Sequence, residues 1–390
     1  MRFVNALGDC HSDNALNRRY GITRIGDVTG LDTIGVPVWF ACRPNSRTLS
    51  VSQGKGVTDQ QARTSAVMES VEACVAERPR PWVEQMASID EMRGKGHSLV
   101  PFRQISRCVS DKICNKLTRA WAKGYRLSDN SAVYAPFELV GLDYRPDANW
   151  DRAAFSITSQ GLAAHKDHAS ALLHAMYELV EHDVTARVEL FGVNSRTVST
   201  IDVDLEGSVQ LQQICEKLAV AGIVPQFFRL KGNIAPVCGA SITRPFNGTI
   251  GGKNGSAIGF AARANEMDAL VAALLEAIQS RLTAIAGARD DLTSEDYDLT
   301  GATRTTKKTL GECPTEIRNF DIGVEGGTQT QIDTIFNRLK ADEIEDVFVF
   351  SLTSPNDPVQ VVRVLAPNLT SLSGATNTIP ASALTRILRA

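Results

Sequence analysis

No two cysteines in this chain stand in a Cys-x-x-Cys pair, and no histidine lies at zinc-finger spacing from any of them. Neither a zinc module nor a dithiol redox centre is therefore written in the spacing. The eight cysteines are scattered, a usage expected of free thiols in a reducing cytoplasm. Uninterrupted apolar runs of about 18 residues are missing too, which argues against a membrane span. The first twenty residues carry Asp9, Asp13, Arg18 and Arg19 without an apolar block, so they do not read as a secretion signal. Long basic runs are lacking. Lys plus Arg is 41 against 44 for Asp plus Glu, a net charge of −3, and nucleic acid is not the expected partner.

What is present is an ordinary globular composition, 43% apolar and 22% charged over 390 residues. That length fits two or three domains or one large α/β unit. Helices are expected over Gln60 to Glu77, with Thr58 and Asp59 as N-cap candidates and Pro79 beyond the end, and over about 167–191, 208–221, 266–286 and 329–341. Strands are expected at Val36 to Phe40, 224–230, 235–243, 346–352 and 359–365, of which 224–230 and 235–243 form a βαβ-like portion with the helix 208–221. Residues 82–150 read as strands and loops, and 292–325, rich in Thr, Gly and Asp, as a surface excursion or lid.

The chemistry begins with carboxylates on helices that are otherwise apolar. Between Ser65 and Ala76 the only charges are Glu69 and Glu72, three residues apart and so on one face. From Ala169 to Val180 everything is apolar, small or neutral except His174 and Glu178, with Glu181 three residues later, and Ala269 to Leu275 leads to Glu276, Gln279 and Arg281. Glu-x-x-Glu is common on solvated helices, but such faces usually carry more charge. A buried carboxylate is costly unless paired or bound to a cation. Arg281 and Arg289 are too few for five acids, and hard oxygen ligands favour Mg²⁺ completed by phosphate oxygens. The carboxylates of three helices are therefore expected to converge.

Ser52-Gln53-Gly54 precedes the first acidic helix and Ser159-Gln160-Gly161 the second, an echo that predicts two similar loop-helix units over 50–77 and 157–191. Ser50 to Gly56, small residues around Lys55, fits a polyphosphate cradle or an ordinary Gly turn; it is not a Walker A sequence. His165, His168, His174 and His182 invite a general-base reading, although histidines in such number near one helix are more often surface or core residues.

Together, Val36-Pro-Val-Trp39 leading to Arg43-Pro-Asn-Ser46, Ser50 to Gly56, Ser65 to Glu72, Thr158 to Ala163, Glu178 to Asp183, Glu276 to Leu282 and Ile285 to Asp291 resemble the YcaO-domain family, and within it the branch found with a TfuA partner. The resemblance implies an α/β (α+β) YcaO-type fold, mixed sheets packed with long helices around a central ATP/Mg cleft, with a short segment 1–35 ahead of one domain, 36–390. It implies an ATP- and Mg²⁺-dependent enzyme acting on peptide backbone amides: a nucleophile adds to the carbonyl, the oxyanion takes the γ-phosphoryl group, and loss of phosphate leaves an azoline, thioamide or amidine. An amide oxygen is a poor leaving group and its phosphate ester a good one, and carboxylate-held metal neutralises the phosphoryl charge.

By family position Glu69, Glu72, Glu178, Glu181 and Glu276 hold Mg²⁺ or meet the nucleotide. Ser52, Lys55, Ser65, Glu69, Arg281 and Arg289 belong to the nucleotide-binding set, and Glu181, Gln279 and Arg281 to the catalytic set. His165, Lys166, Ser170, His182 and Gln160 depart from the family pattern; Lys166 offers a fixed cation in place of a lost metal ligand. Azoline-forming members finish in a Pro-rich tail that Ile379 to Ala390 lacks. Thioamidation of a precursor peptide therefore ranks first, with a TfuA-like partner and sulfide or a sulfur-delivery protein, in the cytoplasm and with a homodimer as the expected assembly. An azoline-forming cyclodehydratase, a degenerate ATP-binding scaffold and an α/β protein with Glu-rich interface helices are the alternatives.

Overall fold

A computed structural model describes residues 10–203, 205–243, 256–293, 315–316, 323–372 and 379–389. Along the chain come α1 (Cys10–Tyr20), β1 (Arg24–Asp27), β2 (Val38–Cys42), β3 (Val51–Lys55), α2 (Asp59–Ala76), β4 (Val83–Ala87), α3 (Ile89–Gly94), β5 (Arg119–Arg126), β6 (Ala132–Pro136), α4 (Phe137–Val140), β7 (Leu162–His165) and α5 (His168–Phe191). There follow β8 (Val198–Ile201), α6 (Val209–Val220), β9 (Val224–Leu230), β10 (Val237–Thr243), β11 (Ser256–Ala262), α7 (Glu266–Ala286), β12 (Thr315–Glu316), α8 (Thr328–Ala341), β13 (Phe348–Ser351), β14 (Gln360–Leu365) and α9 (Ala381–Arg389). Most of the 292–325 excursion, like Cys313, lies outside the described residues.

The chain divides into two units, Met1–Val71 with Val188–Gly323 and Glu72–Arg187 with Val324–Ala390. Two of the three divisions fall inside α2 and α5, and the third lies between Gly323 and Val324.

In the first unit β1-β2-β3 form an antiparallel sheet, and a five-stranded sheet runs β11-β10-β9-β8-β12. The βαβ-like expectation is corrected here: α6 joins β8 to β9, and β8, β9 and β10 all pair antiparallel, the parallel step being β8 to β12. Hydrophobic period reads a helix between strands but not the direction in which the next strand returns. Helix α7 opens on Asn265, whose side chain accepts from Asp268 N–H, and closes on Gly287 at φ 57°. It is the described helix whose length and composition would suffice to cross a bilayer. Leu270, Val271, Leu274, Leu275, Ile278 and Leu282 are instead buried against the neighbouring sheet and α6. At roughly 1.5–3 kcal/mol per large apolar side chain, their burial contributes on the order of 10 kcal/mol to this core.

The stretch Val51 to Lys55 is also corrected. Expected as a loop, it is a strand hydrogen-bonded to β2, so its backbone forms a ladder and no phosphate nest. The signal that misled was Gly54, whose use is packing: a Cβ there would stand 2.0 Å from Ala66 N and 2.2 Å from Ala62 O of α2. Gly54→Ala is expected to force β3 off α2 at a cost of about 1–3 kcal/mol or more, read as a lower midpoint in urea unfolding. Helix α2 starts in a capping box. Thr58 Oγ1 accepts from Gln61 N–H at 3.3 Å while Gln61 Oε1 accepts from Thr58 N–H at 3.3 Å.

The second unit holds the sheet β4-β5-β13-β14-β7, with β6 on β5, all pairs antiparallel. Helix α5 is capped by Asp167, which accepts from Ser170 N–H at 2.8 Å. Its Asp183 is fully buried and accepts from Thr370 N–H at 2.7 Å, from Arg187 at 2.8 Å and from Arg386 of α9. Arg386 also meets Asp342 at 2.5 Å, so the last helix is pinned to α5 through charge. Arg386→Met leaves Asp183 short of a cation in a dry site and is expected to destabilise by about 3–5 kcal/mol, measurable by denaturant titration.

Candidate functional site

Each unit carries part of the acidic set. In the first, Lys55 Nζ lies 3.0 Å from Glu276 Oε2, joining the end of β3 to α7. Gln279, one turn along α7, donates to the Gln53 carbonyl at 3.1 Å, and Thr283 Oγ1 donates to Gln53 Oε1. Ser50 fastens the same strand to the chain after α7, donating from N–H and hydroxyl to Asp290 at 2.7 and 2.8 Å. Gly259 brings β11 onto α7, where a Cβ would meet Ala273 O at 2.4 Å and Glu276 Cβ at 2.6 Å. Together these contacts set where Glu276 and Lys55 stand.

Glu69 is the electrostatic focus of this unit. The loss of water around it pushes its carboxyl up from 4.5 to about 7; Glu276 adds to the rise, while Lys55, Arg289 and a backbone hydrogen bond from Gln53 oppose it. More than a third of the residue still meets solvent, and water on that face resists the shift, so about 7 is its upper end. The direction is what matters: the loss of water outweighs the two nearby cations.

Ser52 is buried beside Gln53 on β3 and Ser65 half-buried on α2. Arg281 was expected to meet phosphate or substrate. Its guanidinium is instead buried on Asp32, Nε to Oδ2 at 2.7 Å and Nη2 to Oδ1 at 3.3 Å, which gives it the work of holding α7. Arg289 makes a two-pronged pair with Asp291, at 2.9 and 2.5 Å.

In the second unit Glu178 is half-buried on α5, with His182 Nε2 3.7 Å from its Oε1; Glu72 and Glu181 are half-buried as well. Two arginines that sequence reasoning missed stand near them. Arg363, in the middle of β14, is fully buried and donates from Nε to the Val140 carbonyl at 3.0 Å and from Nη1 to the Gln160 carbonyl at 2.6 Å. Burial first, and Arg107 second, lower its hold on its proton, while Glu178 and Glu72 raise it; a guanidinium stays charged throughout. Arg107 donates to Thr158 Oγ1 at 3.2 Å and to the Leu139 carbonyl at 3.0 Å. Lys166, the fixed cation expected from sequence, is exposed and forms no ion pair among the described residues. The buried cation near Glu72 and Glu178 is Arg363. The sign that could have found it is a single charge inside the apolar run Val361-Val-Arg-Val-Leu365; Arg107 left no such sign.

The Ser-Gln-Gly echo has a local counterpart. Gln53 and Gln160 are both buried, each giving its main-chain carbonyl to a key side chain, Gln279 or Arg363, and each leaving Nε2 without a partner. Gly161, at φ 72°, sits where a Cβ would be 2.4 Å from Val364 O.

Among the described residues no three ligating side chains gather closely enough to hold a metal by themselves. The convergence of carboxylates from three helices expected above is therefore not seen among the described residues; a hard cation here would take one or two carboxylates and complete its shell with phosphate oxygens and water. Glu69 and Glu276 in the first unit, and Glu72, Glu178 and Glu181 in the second, are the side chains that would hold Mg²⁺. The ion supplies charge neutralisation on the phosphoryl oxygens when bound.

Comparison with known proteins accords with this chemistry. The family model described as YcaO cyclodehydratase, ATP- and Mg²⁺-binding, matches residues 53–370. A protein of Rhizobium leguminosarum bv. trifolii, described as the uncharacterized protein in the tfuA 3' region, is 32% identical over 90% of this chain and 84% of its own length. A Methanothermobacter thermautotrophicus protein is 27% identical over 90% of each. The fold is similar to that of YcaO from Methanopyrus kandleri bound with AMPPCP and Mg²⁺, with TM-score 0.71 and 22% identity over 92% of this chain and 89% of that one. It is also similar to a heterocyclase in complex with substrate and cofactor, with TM-score 0.72 and 17% identity over 92% of this chain and 52% of that one. The chain belongs to the YcaO family, and the family binds ATP and Mg²⁺.

Proposed function

Starting from that membership, we propose that this protein spends ATP to activate a peptide backbone amide for sulfur exchange, giving a thioamide. Hydrosulfide adds to the amide carbon, so that a C–S bond forms and the carbonyl π electrons move to oxygen. That oxygen takes the γ-phosphoryl group and ADP leaves. The C–O bond then breaks, phosphate departs with the S–H proton, and C=S remains. Atoms and charge balance: amide, HS⁻ and ATP become thioamide, ADP and phosphate. Glu69, Glu72, Glu178, Glu181 and Glu276 hold Mg²⁺, and Lys55, Ser52, Ser65 and Arg289 meet the nucleotide. Gln279 and Arg281 position β3 and α7.

The observation that carries the reading is the contact between Lys55 Nζ and Glu276 Oε2 at 3.0 Å, with Glu69 close enough to feel both charges, a mixed charge cluster that a metal-nucleotide complex would complete. The choice of sulfur is supported by the relative from the tfuA 3' region, which makes a TfuA-like protein the proposed partner. Six described cysteines are free thiols, consistent with action in a reducing cytoplasm. Burial pushes the Cys108 thiol up to about 12 and raises that of Cys238 as well, so neither of these two is a nucleophilic thiolate. The family description, cyclodehydratase, supports a second reading, ring closure by a Cys, Ser or Thr of the peptide.

One experiment separates the two. The full chain is mixed with Mg-ATP, sodium hydrosulfide, a purified TfuA-like protein and a candidate precursor peptide, and the peptide is weighed. Replacement of oxygen by sulfur supports thioamidation. Loss of water supports ring closure, and an unchanged peptide with no ADP release contradicts both.

A further inference from the structure

Within the second unit a narrow cleft is walled by Arg107, Gln160, the α5 residues Leu179 and His182, and Leu369 and Thr370 beyond β14. Two of its polar walls are incomplete. Gln160 is 4% exposed and Thr370 1% exposed, yet Gln160 Nε2 and Thr370 Oγ1 have no hydrogen-bond partner. Leaving such groups bare costs about 1–3 kcal/mol each, so a small guest with acceptor capacity fits between them.

Charge says which guest. Arg107 is 4% exposed and Arg363 wholly buried, their hydrogen bonds go to the neutral oxygens of Thr158, Leu139, Val140 and Gln160, and neither makes an ion pair among the described residues. The two buried guanidinium groups disfavour one another's charge, Glu178 and Glu72 offset this in part, and no carboxylate is among the residues lining the cleft itself, so a small anion is the guest that fits there. Size restricts it further. The free space is about 30 Å³, room for one or two water-sized groups, too little for phosphate or a peptide carboxylate. The apolar walls Leu179 and Leu369 suit a weakly hydrated ion better than water.

We propose that this cleft receives the nucleophile, a hydrosulfide ion held by Gln160 Nε2–H and Thr370 Oγ–H in the field of Arg107 and Arg363. The assignment rests on the thioamide reading and deepens it: sulfur would wait on the unit that carries Glu72 and Glu178 before bonding to the amide carbon. Binding would desolvate the ion and make it a better nucleophile.

The test uses the full chain without nucleotide or peptide. Crystals are soaked with hydroselenide, whose selenium is located by anomalous scattering, and sodium hydrosulfide is titrated calorimetrically into the wild type, Thr370→Val and Gln160→Leu. Thr370→Val keeps the side-chain shape and the main-chain N–H that meets Asp183, so it guards against loss of the fold. Selenium between residues 160 and 370, with hydrosulfide bound about tenfold or more weakly by both variants, the loss of one hydrogen bond to a charged group, is the expected result. Ordered water only, selenium elsewhere, or unchanged affinity in the variants overturns the pocket. A thioamide product from the wild-type protein in that case leaves the broader reading standing. A dehydrated product overturns the reading, and the pocket's purpose with it, whatever the selenium shows.

Discussion

Glu69→Gln is expected to lower ATP turnover by roughly 10²–10³-fold or more, the scale of losing one preorganised electrostatic contact to the reacting group, and at the same time to make the nucleotide-free protein more stable near neutral pH. The second effect follows from the raised carboxyl. A group whose folded value lies above its unfolded 4.5 stabilises fully below that value, and the contribution is lost as pH rises through the folded one. The stability difference between Glu69→Gln and wild type therefore grows from about pH 4.5 toward the folded value, at most about 7, and is flat above. Thermal unfolding at a series of pH values, without magnesium or ATP, measures it. Mg-ATP should stabilise the wild type and not the variant, since binding at 100 times Kd contributes about 2.7 kcal/mol. Glu72→Gln and Glu178→Gln are expected to lose turnover as well with the fold intact.

Arg363→Met carries a large expected cost in stability. The side chain closes the Val140 and Gln160 carbonyls and is the buried positive charge that Glu178 and Glu72 reach. Methionine fills the volume and supplies neither. Removing one side of a buried charge arrangement costs about 3–5 kcal/mol, visible in the denaturation midpoint. Arg363→Lys is expected to recover part of that and less of the activity, because an ammonium has no planar fork to hold two carbonyls at once. Equal stability of the methionine variant would mean that the carboxylates of this unit do not depend on Arg363.

The elements that could be read from sequence are those with a local signature. Helix α7 spans the expected 266–286 because a 3.6-residue apolar period, an Asn cap and a closing Gly all lie within the segment itself; α5, α6 and α8 follow for the same reason. What was misread depends on partners distant in the chain. Val51 to Lys55 has too many small residues to look like a strand until β2 pairs with it, and Gly54 looks like a turn until α2 lies over it. Arg281 reads as a phosphate ligand because nothing nearby announces Asp32, 249 positions away. The carboxylates were legible as charges out of place on apolar helices. Their cations were not, since Arg107 and Arg363 reach the acids only after the strands and turns of the second unit are assembled. Helix α9 went unread because its amphipathic face has meaning only against Asp183 and Asp342.

The central claim is that metal and triphosphate satisfy these glutamates. The measurement that meets it directly is anomalous diffraction from crystals of the full chain grown with AMPPCP and Mn²⁺, a scatterer that replaces Mg²⁺ in oxygen sites. Manganese coordinated at once by Glu69 and by a phosphate oxygen, and absent there from Glu69→Gln crystals, is the predicted result. Nucleotide bound with no metal on any of the five glutamates, or manganese found only on other residues, would contradict the account.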